Sequence, residues 1–458
     1  RGRVPFLHFF DGFRTSHEMQ KIEVWDYSDL AEMVDWEAIR EFRRHAASPE
    51  RPNLRGSAQN GDIFFQIREA ANPKYDAIPG IVEEYMNMIN AKIGTDYKLF
   101  NYYGAPDAEY VLVAMGSVCE AAEEVVDYLR AKGEKVGLVK VHLYRPFSRK
   151  HLLEALPATV KRIAVLDRTK EPGAPGEPLY LDVVSALAGS RLAGVEVYGG
   201  RYGLASKDVP PGAIISAFRN IQSENPVHSF TIGIVDDVSG RSIPITEEPD
   251  TTPADIISCK FWGLGSDGTV GANKNSIKII GDHTNKYVQA YFQYDSKKSG
   301  GITISHLRFG DSPIKSTYYV SKANFVACHN PSYLSKYKMV QDVKPGGTFL
   351  INCPYTTAEE LGEHLPDDAK RYIAENNIKV YTIDAISIAR EIGLGNKINA
   401  ILQAAFFKLA SILPIEDAVK YMKDAIVSTY GRKGESVVNM NMAAVDAGLE
   451  RLNAIEIP

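Results

Sequence analysis

Residues 256–274 read IISCKFWGLGSDGTVGANK, and this stretch decides the fold of the C-terminal half of the chain. It opens with an apolar run typical of a buried strand, continues as a G-x-G-x-x-G pattern from Gly263 to Gly268, and enters a segment with helical spacing that runs through Ile280. Glycines in such a loop let the backbone approach a diphosphate, and the N-terminus of the following helix faces the anion with N–H groups. The stretch therefore predicts a Rossmann-like α/β domain that binds a diphosphate-containing ligand.

The loop and the start of its helix supply most of the candidate ligand-binding residues. Lys274 is open to two interpretations, a positive charge placed for a phosphate or a solvated lysine on the helix surface. Arg308, further along the chain, is either another phosphate contact or an arginine paired with a carboxylate at a domain surface. The remaining candidates are Gly265, Ser266, Asp267, Gly268, Thr269, Val270 and Gly271.

A basic turn follows the second predicted strand of this domain, residues 287–294. A site for NAD requires an acidic residue that accepts hydrogen bonds from the ribose hydroxyls, but here Asp295 is followed directly by the run SKKSGG. Lys297, Lys298 and Ser299 suit a ribose that carries an extra phosphate, as in NADP or coenzyme A. A solvated hairpin turn without a ligand is the alternative interpretation.

Further upstream, the pattern predicts a second α/β domain. Apolar runs at 110–115, 136–143 and 162–166 alternate with helical segments, which is typical of a doubly wound βαβαβ unit with a parallel sheet. A Pro- and acid-rich linker at 243–253 separates this unit from the glycine-rich region. The residues before 100 and most of those after 358 are predicted to be helical.

The composition excludes several classes of protein. Of the 458 residues 45% are hydrophobic and 24% charged, which is too apolar for a disordered chain, and the length suggests several domains. The formal net charge of -5 provides no basic field for a nucleic acid, and no stretch approaches the roughly 18 apolar residues needed for a membrane span. We therefore expect a soluble protein without nucleic-acid or membrane partners.

Cysteine and histidine patterns argue against a metal site. The cysteines form no C-x-x-C pair, so zinc-ribbon and iron–sulfur spacings are absent, and each is interpreted as a buried thiol in a reducing, cytoplasmic compartment. The sequence contains no H-x-x-x-H, H-E-x-x-H, G-x-S-x-G or G-x-x-x-x-G-K-[ST] pattern, and the histidines are interpreted as structural. No catalytic or metal-ligating residue is predicted. The four cysteines are Cys119, Cys259, Cys328 and Cys353.

Four stretches, taken in order, resemble one family. They are FFDGFRTSHE at 9–18, YGGRYGL at 198–204, KFWGLGSDGTVGANK at 260–274 and SHLRFG at 305–310. Along essentially the whole chain the sequence resembles the pyruvate:ferredoxin (flavodoxin) oxidoreductases, also called pyruvate synthases. The resemblance implies three parts: residues 1–100 as the C-terminal part of a first, thiamine diphosphate-associated domain, 101–235 as a transketolase C-terminal-like domain, and 236–458 as a gamma-type coenzyme A-binding domain with C-terminal helices.

The resemblance also implies what a complete enzyme of this family does. It converts pyruvate and coenzyme A to acetyl-CoA and CO2 and passes electrons to ferredoxin or flavodoxin. Thiamine diphosphate with Mg²⁺ serves the decarboxylation, and [4Fe–4S] clusters carry the electrons. The resemblance further implies a cytoplasmic enzyme whose full assembly is a homodimer.

For this chain the resemblance favours coenzyme A over NADP, with the glycine-rich loop at the diphosphate and the basic turn near the 3′-phosphate. The sequence lacks the GDG motif with later paired Asn of thiamine enzymes and the cysteine-rich block that would bind clusters. Because residues 1–13 also lack a secretory signal, we expect a central fragment that begins within a domain. It would join the remaining domains or chains, bind coenzyme A and be inactive alone. The alternatives are another 2-oxoacid:ferredoxin oxidoreductase, an NADP-binding Rossmann module, or a scaffold whose loop is only a tight turn.

Overall fold

The computed structural model describes residues 1–12, 14–53, 56–295 and 300–457. They form two compact units. Unit 1 contains Arg1–Gly12 and Glu23–Thr251, and unit 2 contains the helix and strand between Arg14 and Gln20 together with the chain from Thr252 onward. Among the described residues, no helix is both long enough and apolar enough to cross a membrane.

The α-helices account for about half of the first 100 residues and for most of the chain after residue 358, so the helical prediction is confirmed after residue 358 and only partly before residue 100. In chain order they are α1 (Arg14–His17), α2 (Tyr27–Met33), α3 (Trp36–Arg44), α4 (Phe64–Glu69), α5 (Asn72–Ile93), α6 (Val118–Ala131), α7 (Arg149–Ala155), α8 (Pro178–Leu187), α9 (Pro211–Gln222), α10 (Thr269–His283), α11 (Ala358–Gly362), α12 (Asp367–Glu375), α13 (Ala385–Ile392), α14 (Asn399–Ala410), α15 (Ile415–Tyr430) and α16 (Glu435–Glu450).

The strands form one sheet in each unit. In chain order they are β1 (Met19–Gln20), β2 (Phe100–Gly104), β3 (Tyr110–Ala114), β4 (Val136–Val141), β5 (Arg162–Asp167), β6 (Glu196–Arg201), β7 (Phe230–Thr231), β8 (Ile257–Leu264), β9 (Tyr287–Tyr294), β10 (Ile302–Gly310), β11 (Ala323–Cys328), β12 (Val343–Asn352), β13 (Lys379–Ile383) and β14 (Asn453–Ile455).

The sheet of unit 1 has the order β2-β4-β3-β5-β6-β7. Strands β3 to β7 run parallel, and β2 pairs antiparallel with β4 at the edge. Residues 111–114 and 163–167 are continuously buried, because a parallel sheet of this type is covered on both faces. The predicted doubly wound βαβαβ unit is therefore confirmed.

The sheet of unit 2 has the order β1-β9-β10-β8-β11-β12-β13-β14. Strands β8, β11, β12 and β13 are parallel, whereas β1, β10 and β14 each run antiparallel to a neighbour. The predicted strand, loop and helix from residue 256 to 280 are confirmed as β8 and α10. Strand β10 was not among the predicted elements. It lies between β8 and β9, so the domain is α/β with a mixed sheet, and β9 is one strand further from β8 than in a simple Rossmann unit.

Helices of the C-terminal part cover one face of this sheet. The apolar side chains of α14 pack with those of α10, α15 and α16 against β8, β9 and β10 in one core cluster. A second cluster on the opposite face involves residues of β11 and β12, such as Phe349 and Ile351. The strands are thus held from both sides, which fixes the end of β8 where the glycine-rich loop begins.

Candidate functional site

The glycine-rich loop joins the end of β8 to the start of α10. Ser266 and Gly268 both have left-handed backbone conformations, with φ values of 75° and 87°. A Cβ atom added at Gly268 would lie 1.9 Å from Asn399 Nδ2, so the packing of α14 as well as the backbone conformation requires glycine here. The Asn399 side chain at the start of α14 therefore packs against Gly268 and helps to fix the conformation of the loop.

Asp267 shapes this loop with its carboxylate. Oδ2 accepts a hydrogen bond from Leu264 N at 2.8 Å, and Oδ1 accepts one from Thr269 N at 2.7 Å. The side chain thus takes up one of the first-turn N–H groups of α10, which have no partner within a helix. Asp267 is therefore a loop-forming residue, and its contact with a ligand stays a prediction.

The side chain of Thr269 is directed into the protein interior. Its Oγ1 lies 2.7 Å from His329 Nδ1, and both residues are buried. His329 N donates a hydrogen bond to Trp262 O at 2.9 Å, and Asn352 Nδ2 donates to His329 O at 2.9 Å. Burial lowers the pKa of His329 to about 4, so its ring is neutral near pH 7. This network anchors the start of α10 to β8 and β12, and it confirms the structural role predicted for His329.

A cavity of about 240 Å³ lies between the loop and the hairpin formed by β9 and β10. Gly265 N donates a hydrogen bond to Gly301 O at 2.7 Å, which ties the loop to the hairpin. The cavity is lined on the loop side by Leu264, Gly265, Ser266, Asp267, Gly268 and Val270, and on the hairpin side by Tyr294, Asp295, Gly301, Ile302 and Thr303. The hairpin residues were not predicted, because recognising them requires the assignment of β10.

The predicted basic turn falls at this hairpin in the sequence. Asp295 and Gly301, which flank the run SKKSG, both line the cavity, and Asp295 N donates a hydrogen bond to Ile302 O at 3.1 Å. Lys297, Lys298 and Ser299 lie outside the described residues. Their predicted contact with a ribose phosphate stays a prediction.

Two further candidates lie on the first turns of α10. Lys274 is exposed, and its Nζ is 5.3 Å from the centroid of the Phe292 ring on β9. A Cβ atom added at Gly271 would meet no described atom within 4 Å, so this exposed position is open to the approach of a ligand. Both positions remain compatible with ligand contact.

The prediction for Arg308 requires correction, because this residue is not at a surface. Only 2% of it is exposed, and Nη1 donates hydrogen bonds to Gln289 Oε1 at 2.9 Å, Ser316 O at 3.1 Å and Tyr318 O at 2.8 Å. It lies five residues along β10 from Thr303, about 17 Å for an extended strand. Arg308 therefore stabilises the segment after β10, away from the loop.

The sheet of unit 1 has a comparable position, but side chains of the chain itself fill it. In open parallel sheets ligands bind beyond the carboxyl ends of the strands where the strand order reverses, which here is between β3 and β5. At this point Ser117 N donates a hydrogen bond to Asp11 Oδ2 at 2.7 Å, the Ser117 hydroxyl bonds the same oxygen, and Arg168 Nη1 lies 3.4 Å from it. The Asp11 carboxylate thus occupies the position at the N-terminus of α6 where an anionic ligand would otherwise bind.

Helix α8, which follows β5, is capped in the same manner. Asp167, the last residue of β5, accepts hydrogen bonds from Leu179 N at 3.0 Å and Tyr180 N at 3.1 Å, at the start of α8. Burial raises the pKa of Asp167 to about 6. With Asp11 at α6 and Asp167 at α8, both helix N-termini hold internal carboxylates.

The described residues do not offer a metal site. They contain no group of three or more His, Cys, Asp or Glu side chains that could hold a metal ion. The four cysteines are buried free thiols, as predicted, and burial raises the pKa of each one. The cysteine set needed for an iron–sulfur cluster is therefore not found in the part of the chain that the structure describes.

Three family models match the chain, in successive segments. "Pyruvate flavodoxin/ferredoxin oxidoreductase, thiamine diP-bdg" matches residues 1–87. "Pyruvate:ferredoxin oxidoreductase core domain II" matches residues 108–210, and "Pyruvate ferredoxin/flavodoxin oxidoreductase" matches residues 258–451. The glycine-rich loop and the β9–β10 hairpin both fall within the last of these.

Curated relatives match over the full length of the chain. A pyruvate:ferredoxin oxidoreductase from Moorella thermoacetica is 58% identical over 458 residues, and a pyruvate-flavodoxin oxidoreductase from Enterobacter agglomerans is 56% identical over 459 residues. Each alignment covers 100% of this chain but 39% of the relative. The chain thus spans well under half the length of these relatives.

Solved structures align with a part of the chain. The PORC subunit of pyruvate oxidoreductase from Thermotoga maritima is 18% identical with a TM-score of 0.36, and the alignment covers 44% of this chain and 98% of that subunit. The gamma subunit of a keto/oxoacid ferredoxin oxidoreductase from Geobacter sulfurreducens is 19% identical with a TM-score of 0.32, covering 43% and 97% respectively.

Proposed function

Because this chain belongs to the pyruvate ferredoxin/flavodoxin oxidoreductase family, we propose that it is part of an enzyme that converts pyruvate and coenzyme A to acetyl-CoA and CO2. Two electrons leave pyruvate in this reaction and pass to ferredoxin or flavodoxin. Thiamine diphosphate with Mg²⁺ would supply the decarboxylation chemistry and [4Fe–4S] clusters the electron transfer.

The role that we propose for this chain is to bind coenzyme A. One observation carries the proposal, namely the cavity between the glycine-rich loop and the β9–β10 hairpin. Internal carboxylates accept hydrogen bonds at the N-termini of α6 and α8 in unit 1 and, through Asp267, at α10, but the loop before α10 also opens onto this cavity. The diphosphate of the ligand would therefore bind in unit 2.

The size of the cavity limits which part of the ligand enters it. Small-molecule sites typically measure about 300–1,000 Å³, so about 240 Å³ suits a diphosphate and its nearest groups rather than the whole of coenzyme A. Backbone N–H groups at Ser266 and Gly268 would hold the diphosphate, with Val270, Gly271 and Lys274 on the first turns of α10. Gly265, whose own N–H is bonded to Gly301 O, would line the site without a side chain in the way. Lys297, Lys298 and Ser299 would lie near the 3′-phosphate.

Calorimetric titration of the 458-residue chain with coenzyme A, dephospho-coenzyme A and NADPH tests this assignment. Coenzyme A should bind most tightly, because each lysine contact with the 3′-phosphate contributes about 1.5–3 kcal/mol. A double variant, Lys297→Ala with Lys298→Ala, should therefore lose well over tenfold in affinity for coenzyme A and discriminate less against the dephospho form. The pair Lys344→Ala and Lys379→Ala removes the same charge and should leave the affinity unchanged. These lysines lie at the starts of β12 and β13, at the opposite sheet edge from the loop, because both strands run parallel to β8.

Two results would contradict the proposal. Equal affinity for coenzyme A and dephospho-coenzyme A would remove the role given to the basic turn. Tighter binding of NADPH than of coenzyme A would favour an NADP-binding module instead.

The remaining parts of the assignment concern the full-length enzyme. The other domains or chains of that enzyme would be the partners of this chain. Ferredoxin or flavodoxin would be the partner of the full-length enzyme, which we propose to be a cytoplasmic homodimer. The chain alone should not oxidise pyruvate. Another 2-oxoacid as the substrate remains the alternative, and assays of the full-length enzyme with pyruvate and larger 2-oxoacids distinguish the two.

A further inference from the structure

The β9–β10 hairpin places an exposed aromatic ring on the wall of the cavity. Tyr294 is the last residue of β9, it lines the cavity beside Asp295 and Gly301, and 58% of it is exposed. Aromatic side chains that line a concave site provide a large contact surface for a flat ligand group. The hydrogen bonds of the loop and hairpin backbones do not use this ring.

The strand geometry explains why the ring is open to a ligand. Side chains alternate along β9, so Tyr294 is on the same face as Phe292, which is 5% exposed and lies 5.3 Å from Lys274 Nζ. Tyr294 is two residues nearer the strand end, at the level where the glycine-rich loop begins. Its cross-strand partner is Thr303, a small side chain that is itself 6% exposed. The ring therefore stands at the open end of the face on which α10 starts.

We propose that Tyr294 stacks against the adenine base of coenzyme A. This inference rests on the proposed function, because it requires that the cavity holds the diphosphate of that ligand. The adenosine of coenzyme A carries the 3′-phosphate on its ribose, and the lysines proposed to contact this phosphate follow Tyr294 by three and four residues. The ring and the lysines would thus recognise the same end of the ligand.

The test compares three variants of the 458-residue chain. Tyr294→Ala removes the ring, Tyr294→Phe keeps it and removes only the hydroxyl, and Tyr287→Ala removes a similarly exposed tyrosine, 45% exposed, at the other end of β9. Titration calorimetry measures binding of coenzyme A and of adenosine 3′,5′-bisphosphate, which contains the base and the 3′-phosphate but lacks the pantetheine arm. Circular dichroism and thermal unfolding show whether each variant is folded.

Stacking of one base on an aromatic side chain corresponds to roughly a fivefold to hundredfold change in affinity. Tyr294→Ala should weaken both ligands by the same factor within this range, whereas Tyr294→Phe and Tyr287→Ala should bind as the unaltered chain does. Unchanged binding by Tyr294→Ala, an equal loss in Tyr294→Phe, or a loss for coenzyme A alone would each overturn the inference. If the unaltered chain does not bind coenzyme A, the proposed function itself fails, and this inference fails with it.

Discussion

Replacement of Gly268 by alanine tests whether the loop conformation is as tightly fixed as the structure shows. The new Cβ would lie 1.9 Å from Asn399 Nδ2 and 2.7 Å from Asn399 Cγ, at a backbone φ of 87°. A left-handed backbone costs alanine about 1–2 kcal/mol. Displacing the Asn399 side chain from its rotamer adds about 0.5–1.5 kcal/mol. We therefore expect Gly268→Ala to lower the free energy of unfolding of unit 2 by roughly 2–3 kcal/mol.

Two further variants separate these contributions. Adding Asn399→Ala removes the clash, so the additional cost of Gly268→Ala in that background should fall to the backbone contribution of about 1–2 kcal/mol. Gly271→Ala is the matched control, because this position is helical and a Cβ would meet no described atom within 4 Å. Alanine there should raise the free energy of unfolding by about 0.5–1 kcal/mol.

Urea unfolding provides the assay if it reports unit 2 alone. Unfolding is followed by tryptophan fluorescence, and of the three tryptophans only Trp262, at the base of the loop, lies in unit 2. Trp25 and Trp36 are therefore replaced by phenylalanine in all variants, so that the signal comes from unit 2. Equal effects of Gly268→Ala and Gly271→Ala would refute the assigned loop geometry. An undiminished cost of Gly268→Ala in the Asn399→Ala background would refute the assigned clash.

Two other predictions concern unit 1. Asp11→Ala should lower the free energy of unfolding of unit 1 by about 0.5–2 kcal/mol, because Ser117 N at the start of α6 loses the carboxylate that accepts its hydrogen bond. The control Asp96→Ala changes an exposed residue and should show no such loss. Asp167 has a pKa of about 6, above its unfolded value, so its contribution is complete below pH 4 and is lost as pH rises through 6. Unit 1 should therefore lose roughly 2 kcal/mol of stability between pH 4 and pH 6 from this group, and Asp167→Asn should flatten that slope in a pH series of urea midpoints. An unchanged slope in Asp167→Asn would show that the burial of Asp167 is not the cause.

The sequence was sufficient for the elements with strong local signals. Strands β3, β4, β5 and β8 are predominantly apolar runs, and the glycine spacing located the loop before α10. Such signals depend only on neighbouring residues, so they can be recognised without tertiary contacts.

The sequence was not sufficient where a residue depends on distant partners. β10 contains His306 and Arg308, both buried, and Arg308 is satisfied by carbonyls of the following segment, so its polarity gave no sign of an interior strand. Asp11 and Ser117 are separated by 106 residues, and no local pattern connects them. Tyr294 and Thr303 became cavity residues only through the pairing of β9 with β10.

The most direct test of the central claim is hydrogen–deuterium exchange of the 458-residue chain with and without coenzyme A. The backbone amides of residues 265–271 and 300–303 should exchange more slowly with the ligand present, because they belong to the loop and hairpin that form the cavity. Amides around Ser117 and Leu179 should not change, since internal carboxylates already fill those helix N-termini. Protection at Ser117 and Leu179 without protection of the glycine-rich loop would contradict the account.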